Sequence, residues 1–215
     1  MHLNAIRSIV LALMAMFLLG QGVASAQTIQ AGREYLVLDP PRVVASGPRI
    51  EVLEFFYYGC PVCYEFQPLF SRWLNQAPEY VALRRIPAVG NESQDTFAKL
   101  FHSLETLGHI ARLHWPIYDN FHFDGVKLNE EAVLLDWVTR NGVNREQFQA
   151  AFASDEVKNK LTETDEMMKA MNIRGVPTIV IDGKYLTSAR LAGGTRRLPQ
   201  VIDQLVKQAR GERPN

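Results

Sequence analysis

Cys60 and Cys63 are the only cysteines in the chain, with Pro61 and Val62 between them. Sulfurs at this spacing can close a disulfide and reopen it by exchange, because the thiolate is both the attacking and the departing species. Residues 50–57 (IEVLEFFY) are β-branched and aromatic, the pattern of a buried strand, and Gly59 ends it. Residues 64–74 then read as a helix. Cys60 therefore falls at a strand-to-helix junction, on the first turn of that helix. Unpaired N–H groups and the positive end of the helix dipole lower the pKa of a thiol placed there. Cys63, one turn further in, is expected to be more buried. Pro61 suits the first turn, where a missing N–H costs nothing.

Other uses of the pair are weaker. Zinc normally takes four protein ligands, and there is no second C-x-x-C and no spaced Cys/His pair. A copper carrier is disfavoured because Phe55, Phe56, Tyr57 and Tyr58 beside the cysteines look like a core strand. A structural bridge across so short a loop would restrain little of the unfolded chain. No metal is expected, and no cofactor beyond the redox-active cysteine pair itself. His102, His109, His114 and His122 lack ligand spacing and read as structural, and Met167, Met168 and Met171 read as packing.

The elements that must position this pair follow from pattern. Arg7, an apolar run from Ile9 to Leu19 and the small residues Ala24-Ser25-Ala26 form a secretory signal peptide over residues 1–26. Removing it leaves 22 Lys plus Arg against 23 Asp plus Glu, a formal charge of −1. A nucleic-acid binder would show a basic excess, so none is expected as a partner. Residues 34–38 read as an edge strand broken by Asp39-Pro40-Pro41, and residues 81–86 as a strand closed by Pro87. Residues 92–171 are helical in pattern, with breaks at Gly108, Pro116, Gly125 and Asn141-Gly142. Strands return at residues 178–181 and 184–187 around the hairpin turn Asp182-Gly183, and a last amphipathic helix runs over 198–209. The organisation is an α/β core over 27–90 plus 172–215, interrupted by a helical insertion over 91–171.

Two separated segments together resemble a known family. Val52-Leu53-Glu54-Phe55-Phe56, leading to Gly59-Cys60-Pro61-Val62-Cys63-Tyr64, is similar to the active-site segment of the DsbA family in the thioredoxin superfamily. Arg174-Gly175-Val176-Pro177, followed by residues 178–180 and Asp182-Gly183-Lys184-Tyr185, resembles that family's cis-proline loop and hairpin. The resemblance implies a thioredoxin fold, with a central mixed β-sheet flanked by helices and an inserted all-helical domain. It implies a protein disulfide oxidoreductase that donates the Cys60–Cys63 disulfide through a mixed-disulfide intermediate. Its partners would be reduced, unfolded secreted proteins in the periplasm and a DsbB-like quinone-linked membrane oxidase that recharges it. It would act as a monomer.

The resemblance also assigns supporting roles. Pro177 is expected to be cis and to pack beside the Cys60 sulfur, exposing the Val176 backbone so that a substrate chain can pair with it. Glu54, a carboxyl inside an apolar strand, would have a raised pKa and relay protons to and from Cys63. Strand register suggests Arg84 as its neighbour, with Arg85 as the alternative. Two departures from the family stand out. Val62 replaces the usual His before the second cysteine, which bears on oxidising strength, and a second, structural cysteine pair is absent. A disulfide isomerase or reductase is the nearest alternative enzyme. A peptide-binding chaperone module without redox turnover is the alternative of a different class.

Overall fold

Strand β2 (Ile50–Phe56) runs through the middle of the molecule, and all seven of its residues are buried. In the computed structural model, which describes residues 28–213, it belongs to a five-stranded sheet. The signal-peptide reading of residues 1–26 lies outside the described residues. The other strands are β1 (Leu36–Val37), β3 (Val81–Pro87), β4 (Thr178–Ile181) and β5 (Tyr185–Ser188), in the spatial order β1-β5-β4-β2-β3. β3 is parallel to β2, whereas the β2–β4, β4–β5 and β5–β1 pairs are antiparallel. A parallel pair needs a crossover, and helix α1 (Pro61–Leu74) supplies it. The β4–β5 connection spans residues 182–184, with Asp182 and Gly183 at φ 52° and 64° and the Lys184 N–H donating to the Ile181 carbonyl at 2.9 Å. A Cβ at Gly183 would run into the Arg42 carbonyl, so that position also needs glycine for space.

Five helices stand between β3 and β4: α2 (Glu92–Thr106), α3 (Ile110–His122), α4 (Glu131–Arg140), α5 (Arg145–Ala153) and α6 (Asp155–Ala170). Three begin at side-chain caps: Asn91 accepts the Gln94 N–H, Asn144 that of Gln147 and Ser154 that of Val157. A cap of this kind contributes about 1 kcal/mol, so each boundary is set locally. After β5 come α7 (Ala189–Ala192) and α8 (Leu198–Glu212). Among the described residues no helix is long and apolar enough to cross a membrane.

Packing divides the core into three clusters. Ile50 and Val52 meet Phe66 and Phe70 of α1 and Val201, Ile202 and Leu205 of α8 on one face of the sheet. Leu53 and Phe55 meet Ile86, Met171, Ile173 and Val180 on the other. The third cluster fills the helical lobe with Phe97, Leu100, Leu104, Leu113, Ile117 and Phe148, and it also contains Phe56, Tyr58 and Cys63. The helical lobe therefore packs directly on the end of β2 that carries the cysteines.

Two local expectations need correction. Pro116 does not break the helical pattern but lies inside α3. Leu113, His114, Ile117 and Tyr118 are buried on both sides of it, and that burial holds the helix together despite the missing N–H. The short α7 was not anticipated. It ends at Gly193 with φ 81°, a glycine C-cap too close to its start to leave a periodic pattern.

If the helical lobe shares one core with the cysteines, loosening it should reach Cys63. Leu104→Ala, at a fully buried position, is expected to cost about 2–5 kcal/mol in urea unfolding. It should also raise the alkylation rate of Cys63 in the folded protein. Unchanged Cys63 protection in a clearly destabilised variant would show the two regions to be uncoupled.

Candidate active site

Cys60 is the N-cap of α1, with extended φ and ψ of −87° and 116°, and Pro61 follows at the helix start. Its sulfur accepts the Cys63 backbone N–H at 3.3 Å. Both cysteines are free thiols; Cys60 is half-buried and Cys63 has no exposed surface. A hydrogen bond from the Cys63 thiol, then the backbone N–H groups of Cys63 and Val62, lower the Cys60 pKa from 9.0 to about 6 against the cost of partial burial. Burial, reinforced by the hydrogen bond and charge of Cys60, pushes the Cys63 thiol well up. The two sulfurs are thus driven apart: one is a thiolate at neutral pH and the other holds its proton.

Val62 is 41 % exposed beside them and offers no charge or donor from its side chain. The Val176–Pro177 peptide is cis, and the Cys60 thiol lies 3.7 Å from the Val176 carbonyl oxygen. Strand register explains the meeting of residues so distant in sequence. Thr178 pairs with Phe55, so the residues just before β4 fall beside the segment that leaves β2. Thr178 holds the loop by donating its hydroxyl to the Gly175 carbonyl at 2.7 Å.

Glu54 lies at the centre of this arrangement and is completely buried. One carboxylate oxygen accepts the Gln67 side-chain N–H and the other accepts Arg85 Nε at 3.0 Å. Burial raises its pKa more than Arg85 and Gln67 lower it. Its charge in turn contributes to raising the Cys63 pKa, so the two groups feel each other. Arg84 is not its neighbour: β2 and β3 pair Glu54 with Arg85, while Arg84 pairs with Leu53 and reaches Glu51 at 3.8 Å. A one-residue shift along a strand turns the side chain to the other face, which is why the two arginines serve different carboxylates.

Gln67 was not among the residues expected at the site. It was visible as a polar residue on an apolar stripe, since Cys63, Phe66, Gln67 and Phe70 form the buried face of α1. Aromatic residues add a second unanticipated layer. His122 Nε2 meets the Tyr58 carbonyl at 2.7 Å, and the Tyr58 hydroxyl meets His114 Nδ1 at the same distance. Tyr64, just after Cys63, stacks on both Trp115 and His122 and donates to Asp119 at 3.0 Å. The loop between β2 and α1 is therefore fastened to α3. Among the described residues no group of His, Cys, Asp and Glu is placed to hold a metal ion.

Known proteins resemble this chain in sequence and fold. Residues 81–206 match the family model of the DSBA-like thioredoxin domain. The chain is 35% identical to the thiol:disulfide interchange protein DsbA of Pseudomonas syringae pv. tomato over 199 residues, 93% of each protein. It is also 35% identical to the protein of that name from Azotobacter vinelandii, covering 94% of this chain and 95% of the relative. The crystal structure of Pseudomonas aeruginosa DsbA superposes with a TM-score of 0.80 at 31% identity, covering 85% of this chain and 95% of that one. Fold and relatives together define a thioredoxin-fold protein disulfide oxidoreductase, an enzyme that exchanges thiols and disulfides. Within that class, the chain belongs to the DsbA family.

Two predictions follow from the cysteine geometry. Alkylation of Cys60 in the reduced protein should rise with pH through about 6 and then level off, with Cys63 unlabelled until unfolding. The folded pKa lies below the unfolded one, so the thiolate stabilises the reduced fold fully above about pH 9, and this is lost as pH falls through about 6. An alkylation midpoint near 9 would show that the helix start does not stabilise this sulfur.

Val62→His should place a titratable cation beside the thiolate. The Cys60 pKa is expected to fall by about one unit, with the potential rising by roughly 30 mV. Thiolate absorbance against pH, measured beside a glutathione equilibrium, reads both quantities. An unchanged Cys60 pKa would remove residue 62 from the control of redox poise.

Proposed function

We propose that the protein donates a Cys60–Cys63 disulfide to reduced, folding secreted proteins in the periplasm. The observation that carries this reading is the asymmetry of the pair, an accessible low-pKa sulfur at Cys60 and a fully buried, high-pKa thiol at Cys63. A substrate thiolate attacks Cys60 Sγ; the Cys60–Cys63 bond breaks and Cys63 departs with the electron pair. The mixed disulfide is then attacked at the substrate's sulfur by its second thiolate. Cys60 departs as a thiolate, which its low pKa makes a good leaving group. Two substrate thiols have then been oxidised to a disulfide, and two electrons reside on the cysteine pair.

Cys63 leaves as a thiolate in a site where its pKa is strongly raised, so it must gain a proton. Glu54, buried with its own pKa raised and held by Gln67 and Arg85, is the residue we assign to exchange that proton. Val176 and Pro177 form the wall against which the substrate chain lies, with the Val176 backbone available to pair with it as an added strand. No cofactor beyond the cysteine pair takes part. The enzyme acts as a monomer, and a DsbB-like quinone-linked membrane oxidase takes the two electrons and restores the disulfide. Residues 1–26 serve as its export signal, the core comprises 27–90 plus 172–215, and the helical insertion spans 91–171.

Cys60→Ser is expected to abolish oxidation of reduced peptides, and Cys63→Ser to accumulate mixed disulfides through Cys60. Mass spectrometry of trapped adducts checks both. Adducts found on Cys63 in the Cys60→Ser variant, with none on Cys60 in the other, would reverse the two roles. A refolding assay with reduced substrate, run beside insulin reduction, separates a disulfide donor from a reductase or isomerase and from a module without turnover.

A further inference from the structure

A groove of about 1050 Å³ opens beside the cysteines and includes Val62, Val176 and Pro177 in its wall. This is large enough to take several residues of an extended chain, since drug-sized ligands fill pockets of about 300–1,000 Å³. Leu36, Met171 and Leu191 give it apolar surface. Its charged residues are three arginines, Arg42, Arg174 and Arg190, against the single carboxylate of Asp39. That excess is local, because the chain as a whole carries 23 basic and 23 acidic residues.

None of the three guanidinium groups is spent on a carboxylate among the described residues. Arg42 donates through Nη2 to the Ala170 carbonyl at the end of α6. Arg174 donates through Nε to the Asn172 side-chain oxygen at 3.0 Å. Arg190 stands exposed on α7. Three separate parts of the chain, before β2, before β4 and after β5, thus bring positive charge to the lining of the groove that also includes Val62 and Val176. Guanidinium groups left in this state attract carboxylates, and a partly enclosed wall screens such attraction less than open solvent does.

Resting on the reading above, we propose that the groove selects its clients by charge. It takes extended segments in which an acidic side chain stands within a few residues of the reacting cysteine, among apolar neighbours. The apolar positions lie on Leu36, Met171 and Leu191, and the carboxylate meets the arginine rim. A client of this kind is held with its thiolate at Cys60 for longer, so the preference is a rate advantage in disulfide transfer.

The test uses the oxidised protein and three two-cysteine peptides, identical except for Glu, Gln or Lys two positions from the first cysteine. Stopped-flow transfer rates are expected to run Glu above Gln above Lys, with Glu and Lys about tenfold apart at low salt and the gap closing at high salt. In Arg174→Gln/Arg190→Gln the Glu-to-Lys ratio should fall toward one, and Arg174→Glu/Arg190→Glu should invert it. Arg42 is left in place because it fastens α6. The same ratio in the parent and in the charge-reversed protein overturns the proposal, whatever its size. Robust oxidation of the Gln peptide with no Glu or Lys preference overturns this proposal alone. A protein inert toward all three peptides overturns the disulfide-donor reading and this one with it. Slower reoxidation by quinone-containing membrane vesicles in the Gln variant, with peptide ratios unchanged, would assign the rim to the membrane partner and overturn the client proposal.

Discussion

Everything at the site depends on the donors aimed at the Cys60 sulfur: the Cys63 thiol, then the backbone N–H groups of Cys63 and Val62 at the start of α1. Cys60 caps the helix with its side chain, so the same contact that begins the helix also stabilises the thiolate. A thiolate there is both a good leaving group and a low-energy product, and a stable reduced form is what makes a disulfide willing to be given away. Cys63 cannot share the benefit. It sits one turn deeper, among Phe56, Tyr58 and the apolar residues of the helical lobe.

The second constraint is that the helix start must be held still. β2 delivers it from below through seven buried residues, and α3 fastens it from above through Tyr58, Tyr64, His114 and His122. The helical lobe therefore serves the chemistry physically: it supplies the burial that raises Cys63 and the contacts that set the loop before Cys60. Its core is one body with the end of β2. Beside it, the loop at Val176 and Pro177 meets the Cys60 sulfur through the Val176 carbonyl and forms part of the groove wall.

Placing Glu54 in the centre of such a strand runs against core stability. A buried carboxyl with its partners Gln67 and Arg85 contributes less than a well-packed apolar group of the same size would, since desolvation outweighs much of the attraction. Its burial does put its charge within reach of the Cys63 thiol, whose pKa it helps to raise. The pairing is also specific, because Arg84 on the next position serves Glu51 on the opposite face.

What the amino-acid sequence by itself determined was whatever depends on near neighbours. The strand before Cys60, the helix after it, the Asp182-Gly183 turn and the order of elements all follow from spacing over a few residues. Cys60 at the helix start is such a local fact, and so is the glycine that ends the strand before it. Only the tertiary structure decided the rest. Whether Arg84 or Arg85 meets Glu54 depends on β2–β3 register, where one residue changes the face. Pro116 remains inside α3 because the residues around it are buried against other helices, a circumstance its own neighbours do not announce. Gln67 showed only as a polar residue on a buried stripe, and its partner across the core was invisible. The arginine rim is the clearest case. Arg42, Arg174 and Arg190 come from three distant stretches, and the sheet order that brings them to one groove is a property of the folded chain, since burial and strand pairing act through space rather than along the sequence.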